Sequence, residues 1–290
     1  MTSSTKPAPA AVAPTKLWPA PEPSWLQHHL LLADPVDGNR AEQFAATHLL
    51  PALTALEQAG VVTSWNFLRK GDRWRLRYHP PSSRGAEAAT AAVIVLLDHG
   101  QRSGVLADWR PVVYEPEALA FGGDAGMEAA HQHFHADSHH TLNYLGAVHS
   151  GERPDQRREL AVLLAAALMR GAALDWHEQG DTWAKLAELR GAQRPTSPTL
   201  RASVHRLLTV DTAPGSRLAT GQLSYAAAWF NSFTFTGARL RELNDDGQLR
   251  RGLRAVTAHL LIFHFNRLGL SAAEQALLAN AATTVALDLE

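Results

Sequence analysis

The chain of 290 residues contains no cysteine. That absence excludes disulfides, thiolate nucleophiles and cysteine-ligated zinc together. An excess of charge of one sign is also lacking: 27 basic and 28 acidic residues leave a formal net charge of −1, so no global field draws nucleic acid or an anionic membrane. Long apolar runs are missing. The longest, Leu160 to Met169, stops at Arg170, well short of the ~20 residues that span a bilayer. There is no Gly-x-Ser-x-Gly elbow, phosphate-binding loop or His-Glu-x-x-His motif, and Gly122-Gly123-Asp124-Ala125-Gly126 lacks the strand-then-GxGxxG setting of a dinucleotide site. The remaining expectation is acid/base chemistry without a cofactor in a cytoplasmic protein, with no nucleic-acid or membrane partner.

What is present is ample for a core, since 46% of the residues are hydrophobic. Residues 1–23 carry six prolines among Ala, Ser and Thr and read as a disordered tail; residues 24–290 read as one catalytic domain. Trp25 to Leu32 suits a buried strand, Ala41 to Ala59 a helix stopped by Gly60, and Val61 to Tyr78 two strands around Gly71-Asp72. Ala86 to Gly100 predicts a helix and Pro111 to Tyr114 a further strand. Helical spacing then runs through 157–171, 182–190, 198–209, 221–241, 249–268 and 272–286. The class is therefore α+β: an antiparallel sheet with helices in the N-terminal half, and a mostly helical C-terminal half packed on it.

Residues Tyr114 to Ser138, YEPEALAFGGDAGMEAAHQHFHADS, concentrate chemistry-bearing groups. Gly122-Gly123 permits positive φ, and Asp124 is a candidate helix cap. Asp137-Ser138 is a second capping pair, expected to end one helix and begin another. In the strand before it, Arg73, Arg75 and Arg77 point one way while Trp74, Leu76 and Tyr78 point the other. Three forked guanidiniums suit carboxylates or peptide carbonyls; a solvated face with arginines paired to acids is the plainer alternative. His131, His135 and His139 are spaced by four, as in zinc helices, but the expected break at Asp137-Ser138 sets His139 apart, and no metal is expected. Trp176 opens a polar-aromatic cluster that suits a groove lining.

The segment from Tyr114 resembles the elimination domain at the C-terminus of the class I lanthipeptide dehydratases and its free-standing relatives in thiopeptide biosynthesis. Tyr114, Glu117, Gly122, Gly123, Phe134, Asp137 and Ser138 match the family's Tyr-x-x-Glu, Gly-Gly and Phe-x-x-Asp-Ser elements. Trp65 to Lys70 with Trp74 to Tyr78 is similar to its arginine-bearing strand pair, and His264-Phe265-Asn266-Arg267-Leu268-Gly269 to its closing motif. The resemblance implies a tailoring enzyme for a ribosomally made peptide. Tyr114, His264, Arg75, Arg77 and Glu117 are then the catalytic candidates; Arg69, Trp74, Asp137, Ser138, Trp176, Asn266 and Arg267 would bind substrate. One departure is Ala120, where members competent in elimination carry an arginine thought to serve the leaving glutamate. This favours a pyridine synthase, closing a macrocycle from two dehydroalanines by formal [4+2] cycloaddition with loss of water and leader. Glutamate elimination to dehydroalanine or dehydrobutyrine is the alternative, and a non-catalytic precursor-binding subunit a third. The implied partners are a leader-bearing precursor peptide and a glutamylating dehydratase subunit; a homodimer is compatible.

Overall fold

The computed structural model describes residues 24–35, 38–191, 195–213 and 215–288; the expected tail at 1–23 lies outside them. Four strands, β1 (Leu26–Leu32), β2 (Ser64–Lys70), β3 (Arg73–His79) and β4 (Leu106–Val112), form one antiparallel sheet in the order β2-β3-β1-β4. Helices α1 (Gly38–Phe44) and α2 (Leu50–Gln58) are joined by a π turn at Ala45–Leu49, and α3 (Ala86–Arg102) precedes β4. The C-terminal half is helical: α4 (Asp124–His149), α5 (Arg157–Gly171), α6 (Trp176–Leu189), α7 (Pro198–Thr209), a short α8 (Arg217–Thr220), α9 (Ala227–Asp245), α10 (Leu253–Leu268) and α11 (Ala272–Ala286). This is the α+β class expected.

Cross-strand pairs share a face of a sheet. Trp65, Phe67, Trp74, Leu76 and Tyr78 are all buried on one face, where Tyr78 also bonds Thr90 of α3. The opposite face carries Lys70, Arg73, Arg75, Arg77 and, across β1 from them, Gln27, His29 and Arg110. The expected strand at Pro111 to Tyr114 proves to be the end of a longer one starting at Leu106; Tyr114 itself lies in the loop beyond.

The outer edge of β2 has no neighbouring strand. Side chains close it instead: Ser138 Oγ accepts from the Phe67 amide at 3.1 Å, Arg267 Nε donates to the Phe67 carbonyl at 2.9 Å, and His135 Nδ1 faces Trp65. The first and last of these come from α4, which is one continuous helix. The break expected at Asp137-Ser138 does not occur, because neither residue is free to cap: Ser138 Oγ donates back to Phe134 O at 2.6 Å, and the Asp137 carboxylate is saturated by distant partners. Helix α10, buried along most of its length from Val256 onward, packs against β2, α4, α5 and α6 and ties the two halves together. Helices α5 and α9 meet backbone to backbone, since a Cβ on Gly237 would lie 2.1 Å from Leu168 O.

Candidate functional site

The loop from Tyr114 to Gly123 folds back over the arginine face. Its return needs glycine: Gly122 and Gly123 have φ of 87° and 105°, the left-handed side that other residues avoid. Gly126 is equally constrained, because a Cβ there would fall 1.9 Å from Phe121 O. Asp124 does not cap α4 with its side chain as expected; Gly123 is the N-cap, and Asp124 is the first helical residue.

This return sets Tyr114 on Arg77, whose guanidinium carbon lies 4.4 Å from the ring centre. Arg77 is 3% exposed and its Nε donates to Gln27 at 2.7 Å. The Tyr114 hydroxyl lies 2.8 Å from His131 Nε2. Burial, aided by the Arg77 charge, lowers His131 to about 4, so the ring is neutral at neutral pH. Burial also pushes the Tyr114 phenol up, with Arg77 opposing. The phenol is therefore the donor and His131 the acceptor. Trp25 covers the imidazole at 4.5 Å.

Glu117, on the same loop and exposed, accepts from His259 Nε2 at 3.2 Å. That bond holds its carboxyl below the usual range against burial, with Lys70 and Arg77 helping. Along the sheet, burial and then the charges of Arg75, Arg73, Arg110 and Arg77 depress His29; the face is densely cationic. Arg75 Nε is buried without a partner, as are both amide atoms of Asn66, directly across from Arg77. Such orphans are what an incoming polar ligand satisfies. At the far turn, Arg251 donates to the Ala120 carbonyl at 2.6 Å, so a guanidinium stands where Ala120 offers none.

Beneath lies a second, closed cluster. Asp137 Oδ1 accepts from Trp229 Nε1 at 3.0 Å and His264 Nδ1 at 2.9 Å, and Oδ2 from Arg267 at 3.1 Å. Burial alone would raise the Asp137 carboxyl, but His264 and Arg267 hold it far below its ordinary value. Burial lowers Arg267 to about 10, Asp137 opposing. The side chains of Asp137, His264 and Arg267 are 0% exposed. Arg267 lies over Phe134 at 4.4 Å and feels the charge of Arg77, which couples this layer to the one above.

The structure thus brings Tyr114, Arg75, Arg77 and Glu117 together at one surface, with Asp137, Ser138, His264 and Arg267 behind it. Others fall elsewhere. Arg69 and Trp74 occupy the opposite sheet face, where Arg69 pairs with buried Glu42 and lies over the Trp74 ring. Asn266 accepts from Gln275 of α11, and Trp176 packs on His205 of α7. Sequence reasoning missed His131 as the partner of Tyr114, and His259. Its only signal was the spacing His259 to Phe263, which puts both on the stripe of α10 that meets Phe121.

The chain belongs to the family described as lantibiotic biosynthesis dehydratase C-term, whose model matches residues 25–286. Among solved structures, the tRNA-dependent lantibiotic dehydratase MibB from Microbispora sp. 107891 aligns with TM-score 0.70 and 20% identity over 96% of this chain, which spans 29% of MibB. Thiomuracin pyridine synthase TbtD aligns with TM-score 0.66 and 16% identity, over 91% of this chain and 98% of TbtD. TsrL aligns with TM-score 0.61 and 16% identity, over 92% of this chain and 96% of TsrL. At these identities the shared property is the fold. No curated protein matches the sequence. Among the described residues, no helix is long and apolar enough to cross a membrane.

Proposed function

We propose that the protein is a pyridine synthase that acts on a leader-bearing precursor peptide, joining two dehydroalanines by formal [4+2] cycloaddition and then expelling water and the leader. The observation that carries this reading is the Tyr114–His131 pair under Arg77. A dehydroalanine-bearing amide becomes a 2-azadiene as its imidic-acid tautomer, by moving a proton from the amide nitrogen to the carbonyl oxygen, and each expulsion delivers a proton to the departing group while the ring gives one up. The Tyr114 phenol delivers its proton to the carbonyl oxygen or departing group, the phenolate beside Arg77 recovers one from the N–H or C–H that the substrate gives up, and neutral His131 orients the hydroxyl between the two transfers. The cationic face holds peptide carbonyls and any developing oxyanion. His259, bonded to the exposed Glu117, is a second acid/base group, while enclosed His264 positions Asp137 and Arg267 beneath.

The TbtD likeness, which extends over nearly all of that protein, supports the reading, as does Ala120 in place of an arginine. Glutamate elimination stays as the second reading because Arg251 reaches the Ala120 turn and offers a carboxylate partner from another element. The deciding assay incubates the purified chain with a bis-dehydroalanine precursor and, separately, with a glutamylated one. Pyridine formation from the first is the expected result; turnover of only the second would overturn it. Binding without turnover of either would leave a precursor-binding subunit. His259→Ala is expected to lower kcat by roughly 10²–10⁴ with precursor binding retained.

A further inference from the structure

Continuity of α4 through Asp137 and Ser138 puts His135 and His139 on one helical face, one turn apart. Glu57, in the last turn of α2, meets both. Its Oε1 is 3.1 Å from His135 Nε2, and its Oε2 is 3.1 Å from His139 Nε2. The ligand atoms of all three lie within 4.8 Å of one another. We propose that Glu57, His135 and His139 form a site for a divalent transition metal of the Zn²⁺ class, clamping α2 to α4.

Three observations support it. The spacing suits the ion: bonds of about 2.0–2.2 Å in a tetrahedral arrangement put ligand atoms about 3.4 Å apart, between the 3.1 Å of each carboxylate–imidazole contact and the 4.8 Å that bounds the three ligand atoms. The second layer is in place too. His135 Nδ1 lies nearer to the Trp65 carbonyl, 3.0 Å, than to the Trp65 amide, 3.3 Å. Nδ1–H donating to that carbonyl would free Nε2 for the ion on the Glu57 side, as metal-bound histidines are oriented. The Trp65 ring meanwhile rests 4.4 Å from the His139 ring. Finally, a carboxylate at the C-terminal end of a helix faces the negative end of the backbone dipole, a place that favours a cation. Two imidazoles and one carboxylate select Zn²⁺, Co²⁺ or Ni²⁺ over Mg²⁺ or Ca²⁺. Side-chain exposures of 29% for Glu57, 25% for His135 and 23% for His139 leave access and an open position for water. His131 is one turn away on α4, so the clamp would fix the helix that carries the Tyr114 partner.

The test uses the untagged full chain stripped with chelator and titrated by calorimetry with Zn²⁺, then with Co²⁺ followed by visible absorption. Expected are one equivalent bound with micromolar or tighter affinity, the strong visible bands of tetrahedral Co²⁺, and no competition from Mg²⁺ or Ca²⁺. Glu57→Gln and His139→Ala should each weaken binding by at least about tenfold, whereas His205→Ala, on α7, should leave it unchanged. Circular dichroism identifies any variant that fails to fold, and Glu57→Gln keeps the side-chain shape. Absence of stoichiometric binding, equal binding in Glu57→Gln and His139→Ala, or equal competition by Ca²⁺ would each overturn the assignment.

Discussion

Replacing Asp137 by leucine removes the acceptor on which three buried donors converge. Arg267 is left as an uncompensated charge with a fully buried side chain, a change that costs about 3–5 kcal/mol. Trp229 Nε1–H and His264 Nδ1–H also lose their acceptor, each at about 1–3 kcal/mol if nothing replaces it. Because one relaxation serves all three, the sum is an upper bound, and a loss of about 4–6 kcal/mol is expected. A domain holds about 5–15 kcal/mol in all, so Asp137→Leu stands near the folding threshold, with Tm down by about 10–20 °C. Arg267→Met leaves the Asp137 carboxylate with its Trp229 and His264 donors but without its charge partner, and should cost about 3–5 kcal/mol. The double variant has no stranded charge, so its loss should be smaller than the sum of the singles by about 3 kcal/mol. Urea denaturation followed by tryptophan fluorescence measures all four corners, Trp229 being a reporter inside the cluster. If the singles add to within about 0.5 kcal/mol, or if Asp137→Leu costs less than about 1 kcal/mol, the account of this layer is wrong.

Glu42 gives a pH prediction. Burial alone would raise its carboxyl, but Arg69 and Arg157 bring it down from 4.5 to about 2. The folded state therefore keeps a carboxylate where the unfolded chain would be protonated. Its contribution is complete above pH about 4.5 and is lost as pH falls through about 2, roughly 3–4 kcal/mol at 1.4 kcal/mol per tenfold change in proton affinity; acid titration of Glu42→Gln should lack that component. Gly126→Ala must displace the loop at Phe121, so precursor turnover should fall by at least about tenfold, while circular dichroism stays near that of the parent; unchanged turnover would refute the role given to this close approach. Arg77→Lys keeps the charge but loses the planar group stacked on Tyr114 and the forked donors. Its KM for precursor should rise, and an unaltered KM would remove Arg77 from substrate binding.

Alternation and helical spacing made much of this molecule legible. The arginine row of β3 and the tryptophan face behind it follow from period two alone, and α5, α7 and α11 lie where their apolar spacing puts them. The loop at Gly122-Gly123 was legible because only glycine tolerates its backbone. Local reading failed where distant groups took over local roles. Asp137-Ser138 has the composition of a cap, yet its atoms serve Trp229, His264, Arg267 and Phe67, between 71 and 130 residues away. Arg69, a substrate-binding residue by resemblance, is turned by strand register to the face opposite Arg75 and Arg77, toward Glu42, 27 residues earlier. His259 drew no attention beside the motif that holds His264. Five positions apart on α10, the two point in different directions, one to Glu117 and one into the core.

The border of β2 has a practical bearing on any study of the Phe-x-x-Asp-Ser and His-Phe-Asn-Arg motifs. Ser138 and Arg267 satisfy the amide and carbonyl of Phe67 inside the protein, and substituting either strands a buried backbone group, at about 1–3 kcal/mol. Inactivity of a variant at these positions therefore reports lost folding as readily as lost chemistry. A melting curve on each purified variant, before any turnover is measured, tells the two apart.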